Sequence, residues 1–189
     1  SRQVVVMRLG GTKMRCKYFL VGLLLSTCPT IASGQSDAEA LPSEMEGLAA
    51  LQKIDPAASP ALQLDQLDGA LELLMQPTPM RSEALCVRGH LLSKLERDTE
   101  ARLAFEQCQQ LLPNDSRPLE AMIGLEWDAK DRTRFAQLLT RLIPLNPDAV
   151  REIEPGMMEM VIRQLRYSGK SQLANELGSL LATSGWGLQ

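Results

Sequence analysis

One histidine, His90, stands in a chain of 189 residues. That excludes a histidine-rich zinc site and leaves a Ser-His-Asp relay a single candidate base. Aromatic residues make up only 4%, and no stretch of useful length alternates apolar with polar side chains, so there is little from which to build a sheet. Gly-rich phosphate loops, nucleophile elbows and paired-metal motifs are missing. No cofactor, no metal and no catalytic role is expected. Acidic residues are lacking from residues 1–34, which hold five basic ones. The other 155 residues carry 15 basic against 23 acidic side chains, a net charge of −8. That sign repels phosphate backbones, so nucleic acid is not an expected partner. A hydrophobic fraction of 44% still suits a folded domain and excludes wholesale disorder.

What is present begins with a leader. Met14-Arg15-Cys16-Lys17 precedes the apolar run Tyr18 to Leu25, and Ala32-Ser33-Gly34 supplies the small residues that a signal peptidase needs. The run is far short of the ~20 residues that span a bilayer. We expect a signal peptide over 14–34, a start at Met14 with Met7 as the other candidate, cleavage before Gln35, and a periplasmic product. Leu25-Ser26-Thr27-Cys28 resembles a lipobox, but Thr27 is bulkier than the usual Gly, Ala or Ser. Lipidation at Cys28 is therefore the minor reading, and the only one that tethers the protein to a membrane. Cys86 and Cys108 survive cleavage. Both fall on predicted helices as small apolar fillers, and the reading favours two buried free thiols over a bridge, which spacing alone does not establish.

Residues 35–42 form a small, polar linker. Ser43-Glu44-Met45-Glu46 then reads as a capping box opening a helix that runs to about Ile54. Leu64, Leu67, Leu71 and Leu74 make a second stripe, and Pro77 and Pro79 close a hairpin over 43–79. Further stripes run through Ala84–Leu95, Ala101–Leu112, Met122–Ala129, Phe135–Leu145, Met158–Leu165 and Leu173–Leu181, with breaks at Arg97-Asp98, Pro113-Asn114, Lys130-Asp131, Glu154-Pro155-Gly156 and Ser168-Gly169. The expectation is eight helices in four hairpins, the last three over 80–185, with a short tail over 186–189.

Pro113 and Pro147 close similar turns, Leu-Pro-Asn-Asp and Leu-Asn-Pro-Asp. Between Arg81 and Pro113, Leu85, Gly89, Leu92, Ala101, Phe105 and Pro113 stand at the spacing of large, small, large, small, aromatic and closing proline. With Cys108 packing on the same face, this unit resembles a tetratricopeptide repeat. The period of that helix-turn-helix repeat is ~34 residues, which is the step from Pro113 to Pro147. Arg88 departs from the pattern, which has leucine there. A second unit over about 116–149 fits Gly124 and Ala136 in one register and Pro147 in its neighbour. A third, over about 155–188, keeps Leu165, Gly169 and Ala174 after an insertion of five residues placed around Glu152 to Gly156. The resemblance implies a right-handed all-α solenoid of about four hairpins, with 43–79 as a cap. A plain helical bundle is the alternative.

The family's first helices line a concave groove, and the resemblance implies that Glu83, Cys86, His90, Ser93 and Lys94 face it in the first unit. Glu159, Arg163, Arg166 and Tyr167 take that face in the third. Two arginines a turn apart beside a tyrosine suit a carboxylate or an acidic peptide; the other reading is an ordinary exposed face on which they pair with Glu159. Cys86, His90 and Cys108 give three candidate zinc ligands where four are wanted. Trp127 and Trp186 read as packing residues or, if exposed, as anchors. The implied role is a non-catalytic interaction scaffold or assembly factor for a protein or peptide partner in the bacterial cell envelope. Two alternatives remain: an accessory region of an envelope enzyme whose catalytic part lies outside this chain, or a structural lipoprotein.

Overall fold

The computed structural model describes residues 42–151 and 153–186. The leader with Met14 and Cys28, the cleavage site before Gln35, most of the linker, Glu152 and residues 187–189 lie outside the described residues. Among the described residues every regular element is an α-helix, as the hydrophobic periods predict. The chain divides into two compact units, residues 42–113 and 114–186.

The first unit holds α1 (Pro42–Gln52), α2 (Pro60–Leu73), α3 (Pro79–Lys94) and α4 (Asp98–Leu111), each packed on the next. Proline opens α2 and α3, where a missing N–H has no intrahelical partner to lose; Ser59 and Thr78 cap by accepting from the Leu62 and Arg81 amides. Ser43 lies inside α1, which begins at Pro42, so the expected capping box does not form there. The core is the apolar faces of three helices: Leu64, Leu67 and Ala70 of α2, Ala84, Leu91 and Leu92 of α3, and Ala101, Ala104 and Phe105 of α4. Arg88, the departure from the repeat pattern, donates to Asp68 of α2 at 2.6 Å. An ion pair thus occupies the edge where a leucine was expected.

The expectation of free thiols is overturned. Cys86 and Cys108 form a disulfide between α3 and α4, their Cα atoms 5.5 Å apart. The reason is register: Cys86 and Gly89 on α3 lie across from Cys108 and Phe105 on α4, the same three-residue step run in opposite directions. Glycine at 89 lets the helices approach until the sulfurs meet, and Leu71, Leu85 and Leu111 pack around the bond.

The second unit holds α5 (Arg117–Asp128), α6 (Arg132–Leu145), α7 (Pro147–Arg151), α8 (Pro155–Tyr167) and α9 (Ser171–Thr183). Its centre is α6, which packs on the other four. Leu119, Met122 and Ile123 of α5, Leu139 and Leu142 of α6, Val161 and Leu165 of α8, and Leu177 and Leu181 of α9 are buried. The described helices number nine rather than eight. The addition is α7, whose five residues sit just before the expected insertion site. Val150 buries its side chain there, and Arg151 donates to the Ser184 carbonyl at 3.1 Å.

One turn is built four times, three of them between the helices of a hairpin; the fourth closes α9, where Gly185 has a φ of 75° and the Trp186 amide donates to the Leu181 carbonyl at 3.2 Å. Glu96, Lys130 and Gly169 each adopt positive φ, at 60°, 60° and 77°. After each, the next amide donates five residues back, Arg97 to Leu92, Asp131 to Glu126 and Lys170 to Leu165, at 2.9, 3.0 and 2.9 Å. This is the left-handed helix terminus with its six-to-one bond. The step from Glu96 to Lys130 equals that from Pro113 to Pro147, and the step from Lys130 to Gly169 is longer by five, the length of α7. The register set by the turns pairs Gly89 and Ala101 with Ile123 and Phe135, which is the register of Pro147. The match at Gly124 and Ala136 is one residue out.

Candidate functional site

The face expected on α3 is largely consumed by packing. Cys86 is buried in the disulfide, so it neither points into a groove nor, with Cys108, offers a thiolate to a metal. His90 is half-buried with its ring edge-on to Phe105, the centroids 4.9 Å apart. Glu83 is half-buried and engaged within the fold, Ser93 is half-buried, and Lys94 is exposed in the last turn. Leu85, Gly89, Leu92, Ala101 and Cys108 are buried; Pro113 is exposed and accepts from the Gln109 side chain at 2.7 Å. Phe105, expected to fill a gap between hairpins, turns its ring to Gly89 inside one hairpin.

The four residues expected on the third unit come together. Glu159, Arg163, Arg166 and Tyr167 share the outer face of α8, because the buried stripe Met158, Val161 and Leu165 commits the opposite face to the core. With Ile162, and with Ala174, Asn175 and Gly178 of α9, they line a cleft of 820 Å³. Its floor is apolar: Ile162 and Ala174 are buried, and Gly178 leaves open space, since a Cβ built there meets nothing within 4 Å. Its rim is polar, and Tyr167 stands 86% exposed at one end. Among the described residues neither arginine has a hydrogen-bond or ion-pair partner, and Glu159 has none either. The pairing with Glu159 offered as the ordinary reading is therefore not formed, although residues four apart on a helix are within reach.

The repeated turn sets the three hairpins in one register. Phe105, Leu139 and Gly178 each stand nine residues after the positive-φ residue, and Gly89, Ile123 and Ile162 each stand seven before it. In the α3–α4 hairpin a small residue faces a large one; in α5–α6 both are large and buried. In α8–α9 the large residue is on the first helix, and the second offers glycine. Ile162 is itself buried, so the large and small positions are exchanged relative to α3–α4 rather than left unfilled. Sequence reading found the α8 side of this site and missed Asn175 and Gly178, although the nine-residue offset from Gly169 would have marked Gly178 as the small position of its hairpin.

Neither tryptophan is an exposed anchor. Arg132 lies over the Trp127 ring at 3.7 Å, and the Phe135 ring centroid is 5.2 Å away. Trp186 is buried. No described helix is long and apolar enough to cross a membrane, and no described group of three or more His, Cys, Asp or Glu residues is placed to hold a metal ion. No protein-family model matches the chain, and no curated protein matches it.

Proposed function

We propose that this chain is an exported tetratricopeptide-like scaffold, a right-handed solenoid of helical hairpins that binds a segment of a protein partner in the bacterial cell envelope and carries out no catalysis. The observation that carries this reading is the α8–α9 cleft, whose rim holds two arginines without a partner among the described residues. Two others support it. Between the two helices of a hairpin the same helix terminus recurs first at the period of that repeat and then, across a five-residue helix, at the same period lengthened by five. The Cys86–Cys108 bond suits an oxidising compartment such as the periplasm, because disulfides are rare where thioredoxin and glutathione keep thiols reduced. The mechanism is display: packed helices hold the cleft in place, and the partner segment settles into it with little rearrangement of the scaffold.

The test is affinity capture from an envelope extract with the wild type, the double variant Arg163→Glu/Arg166→Glu and the double variant Arg163→Lys/Arg166→Lys. Specific capture should be lost on charge reversal, and partly kept with lysine, which restores charge without the planar fork. Equal yields of the same proteins with all three variants would sink the reading.

A further inference from the structure

We propose that the outer face of α8 docks on the same face of a second copy of this chain, antiparallel about a two-fold axis, with Glu159 of each copy against Arg163 and Arg166 of the other. This rests on the interaction reading above and deepens it by naming the partner.

The charges on this face are complementary to their own reverse. Glu159 stands in the first half of α8, Arg163 and Arg166 in the second, and all three are exposed. Glu159 and Arg163 are four apart, a spacing at which helix side chains pair, yet none of the three has a partner among the described residues. Two arginines against one glutamate leave the face at +1. A wholly acidic partner would set like charge against Glu159, and a parallel second helix would set arginine on arginine. An antiparallel second copy answers both signs, and two-fold symmetry makes every contact twice. With the axis at the level of Ile162, Glu159 comes level with Leu165 of the other copy. A rise of ~1.5 Å per residue then leaves Arg166 ~1.5 Å and Arg163 ~3 Å from that level, so both guanidinium groups reach the carboxylate. Each Arg163 is as near, along the helix, to the other copy's Glu159 as to its Arg163, so the acid offsets the like charge.

Shape agrees with charge. Ala174 is 0% and Ile162 8% exposed, so the cleft offers a partner its rim rather than an apolar pit. Exposed ion pairs alone are worth little, and a stable contact also needs an aromatic anchor. Tyr167, 86% exposed, is the aromatic residue of this rim. It stands two residues before Gly169, at the turn end of the hairpin, whereas Glu159 and Gly178 stand ten before and nine after, at the far end. Antiparallel docking carries each Tyr167 to the end of the other copy's cleft where Gly178 has no side chain. A Cβ built there meets nothing within 4 Å, so the ring has room.

The experiment is analytical ultracentrifugation of the full chain over a concentration series. The wild type should pass from monomer to dimer as concentration rises. Glu159→Arg makes the face wholly basic, and Arg163→Glu/Arg166→Glu makes it wholly acidic. Each variant alone should dimerise about tenfold more weakly or worse, with the helical signal and melting temperature unchanged. Mixed one to one, the two should form a heterodimer at least as tight as the wild-type dimer, because each basic face then meets an acidic one. Tyr167→Ala should weaken the wild-type dimer about fivefold. A wild type that stays monomeric up to about 0.1 mM would overturn the proposal. So would a dimer indifferent to the charge variants or to Tyr167→Ala, or a mixture of the two charge variants that stays monomeric. Arginine-dependent capture of other proteins by a monomeric wild type would keep the scaffold reading and reject the second copy. A charge-dependent dimer with equal capture by all variants would keep the second copy and reject the scaffold.

Discussion

Replacing Gly89 with alanine separates two opposed effects at one atom. A Cβ at this position would lie 2.6 Å from Cε1, 2.7 Å from Cδ1 and 2.8 Å from Cζ of Phe105. The ring is 1% exposed and has His90 against it, so it has little room to retreat. Nor can the hairpin easily open, because the Cys86–Cys108 bond ties the two helices three residues away from both partners. Overpacking of this kind costs ~1–3 kcal/mol, and the constraint argues for the upper half of that range. Against it stands the gain of about 1 kcal/mol from replacing glycine with alanine in a helix. Gly89→Ala should therefore destabilise by about 1–2 kcal/mol. Phe105→Ala alone should cost ~3–5 kcal/mol by leaving a cavity. In that background the obstacle is gone, and Gly89→Ala should change sign and stabilise by up to about 1 kcal/mol. Urea unfolding of the four proteins, followed by far-UV circular dichroism with the disulfide intact, measures the cycle. The same effect of Gly89→Ala in both backgrounds would refute the contact.

Other outcomes can be checked separately. The disulfide closes a loop with a sequence separation of 22, so Cys86→Ser/Cys108→Ser should lose about 3 kcal/mol on the chain-entropy account, read as a lower urea midpoint; an unchanged midpoint would contradict it. Gly178→Ala meets nothing within 4 Å and should stabilise by about 1 kcal/mol, the reverse of Gly89→Ala, whereas a loss would mean that the cleft floor is not open. Burial pushes the Asp115 carboxyl up, but the hydrogen bonds and charge of Arg117 outweigh it and hold the pKa below the ordinary carboxylate range. Its stabilising contribution is thus complete above the unfolded pKa and lost as pH falls through the folded one; Arg117→Met should raise the pKa in an NMR titration, and no change would refute the pairing. Fusion of residues 14–40 to a periplasm-dependent reporter should export it, and the mature protein should begin at Gln35; retention of Met14 in the purified native protein would sink the signal reading.

The helices were legible because burial imposes a period on the sequence: the stripes through Leu64–Leu74, Ala101–Leu112 and Phe135–Leu145 all fall on helices with those residues inside. The packing pair Gly89 and Phe105 was legible as a small and an aromatic position, but the space that the ring fills was not, because both neighbouring gaps accept the same residue. The five residues of α7 are too few to show a period, so an insertion was detectable only through the displaced register of α8 and α9. The disulfide depends on how two antiparallel helices register, a sum of two positions that neither cysteine reveals alone. Gly124 and Ala136 misled for the opposite reason: small residues are common, and one step out of register they imitate a motif. On α8 the arginines were legible by their three-residue spacing. On α9, Gly178 was not, because a glycine marks the small position of a hairpin only once the register of its two helices is known.

The sequence contains two tryptophans, Trp127 and Trp186, and both lie in residues 114–186. The only disulfide among the described residues lies in 42–113. Each half of the chain therefore carries a natural reporter that the other lacks. Indole emission follows the loosening of the half with the cleft, while the rate at which a reductant and alkylating reagent label Cys86 and Cys108 follows the other. In one denaturant series, coincident curves would mark a single cooperative transition and displaced curves two separable ones, without a label being introduced. Ligand added to the same series would raise the emission midpoint and reveal, through the thiols, whether occupancy of the cleft is felt at the disulfide-bonded hairpin.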